Sequence, residues 1–256
     1  MDNNNDQSEI LGKKIFFLYP SGSITSQVIT ELVQQEYEVY VSRSHNRLAP
    51  VLRKYPDSIV FINLDEGMAG VEWGNWIHGL MTSLPKINVG VMSTNTEDEF
   101  KNKFINEIKV SCGFLMLKFD MSKSIPIITE ILKKVDAKGR RKYIRASMEG
   151  ETTCTINLPR GSDYINGVLK DISVVGFSCV FDENLDLKKN TLITNIQIRL
   201  QTMLLKVEAI VFGSRMVDQQ KNYVLLFTQR IDPDIRTKIR KYIQQNLQSK
   251  MDQESK

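Results

Sequence analysis

The sequence predicts two domains: an α/β domain built on a five-stranded parallel sheet, then an all-β domain, a six-stranded antiparallel barrel with a C-terminal helix. Three observations carry this. From Lys13 to Val135 short apolar runs alternate with segments whose apolar residues recur every three or four positions, the pattern of parallel strands joined by helices. Beyond residue 140 the apolar period falls to two, as in Cys154, Ile156 and Leu158, in Ile196, Ile198 and Leu200, and in Leu205, Val207, Ala209 and Val211. Between these regions Asp136-Ala137-Lys138-Gly139-Arg140 holds no apolar residue larger than Ala and includes a glycine, so it reads as a joint.

Taken in order, residues 1–12 are polar and read as a disordered tail, and residues 13–135 form the α/β domain. Its strands are expected at Lys14–Tyr19, Glu38–Ser42, Ser58–Leu64, Asn88–Ser93 and Phe114–Phe119. Helices are expected at Ser23–Gln35, His45–Tyr55, Val71–Ser83, Glu97–Val110 and Ser124–Val135; in the first, Ile24, Val28, Ile29 and Leu32 share a face. Five strands and five helices suggest the flavodoxin-like order, whose ligand site lies at the carboxyl ends of the strands. Trp73 and Trp76 stand three apart on the third helix, where core packing is favoured over a partner-binding stripe. After a linker at residues 136–140 the barrel domain spans 141–248. Its further strands are expected at Ile165–Ile172, Gly176–Phe181 and Tyr223–Gln229. Asp232-Pro233 opens the last helix as N-cap and first helical residue, with Ile235, Ile239, Ile243 and Leu247 on one face, and residues 249–256 read as a disordered tail.

Composition narrows the function. The net charge of +4 is modest and evenly spread, so an anionic small ligand fits better than nucleic acid. No run of about eighteen apolar residues predicts a membrane span, and Met1 to Gly12 lacks the apolar core of a secretory signal, so a cytoplasmic protein is expected. Cys112, Cys154 and Cys179 lie far apart in apolar runs and read as buried thiols; with only His45 and His78 beside them, neither a metal site nor a catalytic dyad is supported. No nucleophile, base and orienting group stand out together, so an enzyme is not expected.

Two short segments carry the chemistry. Arg140, Arg141 and Arg145 offer fixed guanidinium forks that match phosphate oxygens or the O6/N7 edge of guanine. Asp171 can accept from the N1 and N2 donors of guanine, Ser173 can give and take one hydrogen bond, and Gly176 lets backbone approach without a Cβ. Each segment alone has a plainer reading: 34 Lys+Arg will produce R-x-x-x-R by chance, and Asp, Ser and Gly are what turns select. Their order and separation are more specific.

With Arg141, Arg145, Asp171, Ser173 and Gly176 all in place, residues 139 to 245 resemble the PilZ family of cyclic di-GMP receptors. The resemblance implies that the arginines hold phosphate and guanine, that Asp171 reads the guanine edge, and that Ser173 meets a phosphate or base oxygen. Arg140, directly before the motif, implies an intercalated pair of ligands, two per chain. Because these arginines sit at the joint, ligand binding would order the linker and change how the domains face each other.

The first domain resembles a response-regulator receiver, with Asp65 ending the third strand, Ser93-Thr94 ending the fourth and Lys118 ending the fifth, where a receiver places its phospho-acceptor, hydroxyl and lysine. It departs from that pattern at Leu18-Tyr19-Pro20, where receivers carry the acidic pair for Mg²⁺, and at Phe119, where a proline is usual. The expectation is a pseudo-receiver for docking, with Asp65, Thr94 and Lys118 a vestigial phospho-acceptor site. The leading reading is a cyclic di-GMP effector acting on an unidentified protein partner, its output left open among motility regulation, adhesion, secretion and virulence; a phosphorylation-responsive regulator with a PilZ-like docking domain is the alternative. A homodimer is left open, since such α/β domains often pair.

Overall fold

The computed structural model describes residues 12–118, 120–151 and 153–254. The expected tail at residues 1–11, Phe119, and the last two residues lie outside them. Contacts divide the chain into two units: one runs to Lys142 and takes in the chain from Leu247 onward, and the other spans Tyr143–Asn246.

The first unit is a five-stranded parallel sheet of β1 (Ile15–Leu18), β2 (Val39–Ser42), β3 (Ile59–Asn63), β4 (Asn88–Ser93) and β5 (Phe114–Met116), in the order β2-β1-β3-β4-β5. This is the flavodoxin-like, receiver-like arrangement expected from the sequence. Its strands are near-continuous apolar runs because both faces are covered. Ile15, Phe17, Ile59 and Phe61 face one side with Ile24, Val28, Leu32, Ile128 and Leu132. Phe16, Leu18, Val60 and Ile62 face the other with Leu48, Leu52, Trp73, Ile77 and Phe104.

The helices are α1 (residues 22–34), α2 (His45–Lys54), α3 (Gly70–Ser83), α4 (residues 98–107) and α5 (Ser124–Lys134). Two of them are not regular α-helices, since Ile24–Ile29 of α1 and Lys103–Glu107 of α4 are π-helical turns. β5 ends earlier than expected, although Leu117 N–H still bonds the Ser93 carbonyl at 2.8 Å.

The second unit is an antiparallel barrel. Its strands are β6 (Arg145–Ser147), β7 (Cys154–Arg160), β8 (Asp163–Ser173), β9 (Gly176–Phe181), β10 (Leu192–Leu200), β11 (Met203–Val217) and β12 (Gln220–Phe227). Neighbours run β8-β7-β10-β11-β12-β9, and a pairing of β8 with β9 closes the six-stranded ring. This is the six-stranded antiparallel barrel expected from the sequence. β6 lies against β8 outside the ring and was not foreseen. Period-two burial fills the interior: Ile156, Leu169, Ile172, Cys179, Ile196, Ile198, Ala209, Val211 and Leu225 are all enclosed.

The last helix, α6 (Pro233–Glu254), corrects the expected tail, because residues 249–254 are helical. Met251, 7% exposed, is buried with the apolar cluster on one face of the first unit's sheet, and that burial holds the final turn. Earlier in α6, the Tyr242 hydroxyl meets Cys154 Sγ at 3.1 Å and donates to Met148 Sδ at 3.3 Å inside the second unit. No described helix is long and apolar enough to cross a membrane.

Candidate functional site

β8 and β9 are joined by the two-residue turn Val174-Val175, with Ser173 opposite Gly176. The Ser173 side chain is spent on this turn: it is 3% exposed, and its hydroxyl donates to the Gly176 carbonyl at 3.0 Å and accepts from Val175 N–H at 3.4 Å. Gly176 meets a different demand from ligand access. A Cβ there would stand 2.3 Å from the Leu225 carbonyl oxygen, so the glycine lets β12 close onto β9. Both residues build the hairpin.

Asp171 and Arg145 face outward beside it. Antiparallel pairing sets Arg145 opposite Ser173 and Ser147 opposite Asp171, which makes Arg145 and Asp171 diagonal neighbours on one face. Arg145 Nη1 lies 3.5 Å from Asp171 Oδ1, with 47% and 30% of the two side chains exposed. That separation is wider than a charge-assisted hydrogen bond, so the guanidinium is oriented without being fully engaged. A register shift between Leu169 and Asp171 brings Asp171 opposite Ser178, whose hydroxyl donates to Oδ2 at 2.5 Å. On the adjacent residue, burial and then the Asp171 charge push the Cys179 thiol far above its ordinary range, which keeps it protonated.

Arg140 and Arg141 are exposed on the irregular segment before β6 and fall with the first unit, whereas Arg145, Asp171, Ser173 and Gly176 fall with the second. The structure thus brings Arg145 to Asp171, and Ser173 to Gly176. Ser178 escaped the sequence reading, although a lone polar residue in Gly176–Phe181, where every residue is buried, was a usable signal.

The receiver-like unit has its own carboxylate at the carboxyl end of the sheet. Asp65 Oδ1 accepts from Ser93 Oγ at 2.5 Å, and Oδ2 accepts from Thr94 N–H at 2.8 Å. Of the expected Ser93-Thr94 pair, Thr94 therefore contributes its backbone N–H and Ser93 its hydroxyl. Asp65 N–H donates to Asn63 Oδ1, and Asn63 Nδ2 donates to the Tyr19 carbonyl at 2.9 Å. Lys118 is exposed, and its backbone N–H points to Met121 Sδ.

At the end of β1, where Mg²⁺ ligands would be needed, stands an aromatic group instead. Tyr19 OH is 3.1 Å from His45 Nδ1, and the Tyr19, His45 and Trp76 rings all lie around Trp73 at centroid distances of 5.7–6.2 Å. Gly67 at φ +87° lies on Tyr19; a Cβ there would reach 2.6 Å from the ring. Trp73 is fully buried and donates Nε1–H to the Glu66 carbonyl at 3.0 Å, in keeping with the core role expected for it.

No family model and no curated protein matches the sequence. Among solved structures, the chain is similar to YcgR of Escherichia coli in complex with c-di-GMP, at 15% identity and TM-score 0.39, covering 45% of this chain and 51% of that one. It is similar to the Klebsiella pneumoniae MrkH–c-di-GMP complex at 18% identity and TM-score 0.40, covering 44% and 55%. A response regulator from Thermotoga maritima matches at 16% identity and TM-score 0.42, covering 48% of this chain and 99% of that one. The chain thus spans about half the length of YcgR and MrkH. At such low scores the fold rests on the strand order itself.

Proposed function

We propose that this protein is a non-catalytic effector that binds cyclic di-GMP at the β6–β8 surface and passes the change to a protein partner in bacterial second-messenger signalling. The supporting observation is the outward Arg145–Asp171 pair on adjacent strands: an incompletely engaged fork beside a carboxylate that suits the guanine edge. Arg145 would hold phosphate and guanine, and Asp171 would accept from the guanine edge. Arg140 and Arg141, on the exposed segment leading into β6, would supply further forks, and with them a second, intercalated ligand. Ser173 and Gly176 serve by shaping the hairpin that presents Asp171.

Binding would order the lead-in segment. Ordering costs roughly 1–2 kcal/mol per residue of backbone entropy, which several charge-assisted hydrogen bonds at about 1.5–3 kcal/mol each offset. Linker order and ligand occupancy are therefore coupled, and a change in how the domains face each other is the proposed output. Such an effector is expected to act in the cytoplasm. The reading of the first unit as a docking module in place of a phosphorylated receiver is supported by Tyr19 and Pro20 where magnesium would need carboxylates.

Isothermal titration calorimetry of the full chain with cyclic di-GMP tests this. Micromolar affinity, about −8 kcal/mol, with two ligands per chain is expected. Absence of heat at tens of micromolar would reject the sensor; one ligand per chain would reject only the role assigned to Arg140.

A further inference from the structure

β2 is an edge strand, and edges left open recruit other chains. The Glu38 and Ser42 carbonyls accept from Ile15 N–H and Tyr19 N–H on the β1 side. Alternation along a parallel strand therefore turns the N–H and C=O of Val41 outward. Both are taken by one side chain: Val41 N–H donates to Gln248 Oε1 at 2.8 Å, and Gln248 Nε2 donates to the Val41 carbonyl at 2.9 Å. A primary amide offers the same donor and acceptor pair as a neighbouring strand. Gln248 Nε2 also donates to Asp252 Oδ1 one turn on, at 2.8 Å, which sets its direction.

The same helical end is fixed at two further points. Met251 is buried, and Leu247 packs against the same apolar cluster. Glu254 accepts from Tyr55 OH at 3.0 Å and pairs with Lys54 at 2.8 Å. Of residues 247–254 only Leu247 and Met251 are apolar, so little buried surface holds the segment down. Segments with few apolar contacts open well before the rest of a domain.

We infer that residues 247–254 are a displaceable latch on the β2 edge, and that the surface they cover docks a protein partner through a helical segment of the same chemistry. That chemistry is an amide for Val41, an apolar side chain three positions on for the Met251 socket, and an acid three further for Lys54 and Tyr55. The inference does not depend on the ligand reading.

The probe is a fluorescent synthetic peptide of residues 244–256, added to the full-length chain and to full-length Q248A/M251A. The variant is expected to bind the peptide at least tenfold more tightly than the wild type, because its own latch no longer competes. The Val41 amide should exchange hydrogen at least tenfold faster in the variant, and peptide should restore its protection. A peptide carrying M251D should not bind. Equal peptide affinity in variant and wild type, or unchanged Val41 exchange, would overturn the latch. If the double variant does not fold, Q248A alone supplies the exchange measurement with the Met251 socket filled, and the same outcomes apply.

Discussion

Asp65 and Asp171 are built alike and surrounded differently. Each receives a serine hydroxyl at 2.5 Å, Asp65 from Ser93 and Asp171 from Ser178. The second partner separates them. For Asp65 it is the neutral Thr94 N–H, with an aromatic group and no carboxylate at the end of β1; for Asp171 it is the half-exposed Arg145 guanidinium at 3.5 Å. A carboxylate satisfied by neutral donors beside packed rings stabilises a loop, whereas one paired loosely with an exposed cation can exchange that partner for a ligand. What surrounds a polar group thus says more about function than the group itself.

The sharpest way to probe the contrast is to separate architecture from recognition at the barrel turn. Gly176→Val should drive a side chain into the Leu225 carbonyl and cost about 3 kcal/mol, typical of overpacking, seen as a fall in the barrel's midpoint in denaturant. A stable Gly176→Val would break the assignment of Gly176 to strand closure. Arg145→Ala should leave the midpoint nearly unchanged and weaken cyclic di-GMP by about 10- to 100-fold, the equivalent of one charge-assisted interaction of about 1.5–3 kcal/mol. Arg145→Lys should recover only part of this, since the fork is lost; full recovery by lysine would reduce the arginine to a point charge.

Ser178→Ala removes one neutral donor from Asp171 and should cost about 0.5–1.5 kcal/mol in stability by chemical denaturation. The smallest effect is expected at the other carboxylate. Asp65→Asn keeps an acceptor for Thr94 N–H and should change stability by less than about 0.5 kcal/mol. Wild-type protein given acetyl phosphate and Mg²⁺ should show no phosphoryl adduct by intact mass spectrometry. An adduct at Asp65 would erase the contrast between the two carboxylates.

Much of this fold was legible because its strands are buried on both faces. Runs such as Ile15–Leu18 and Ile59–Asn63 have little choice of structure, and the switch to period two announces the barrel. β6 was not legible, since Arg145-Ala146-Ser147 is too short for any period and takes its strand geometry from β8. The end of α6 misled for a related reason. Its sequence is polar apart from Leu247 and Met251, and the socket that orders it is assembled from distant residues. Within the candidate site, residue types pointed to Arg145 and Asp171, but only register reveals that they are diagonal neighbours. Tyr19-Pro20 was visible as a departure from the receiver pattern; its company of His45 on α2 and Trp73 and Trp76 on α3 comes from two separate helices and could not be read along the chain.

The closed ring has a consequence for how copies of this chain would meet one another. A six-strand hoop has no lateral rim, so among the described residues the barrel offers only the three-residue fringe of β6 for strand-to-strand growth. The exposed rims of the molecule belong instead to the parallel sheet, where β5 is three residues long and β2 is blocked by a glutamine. Fibre-like association on mild heating would therefore begin at β2, once that glutamine lets go.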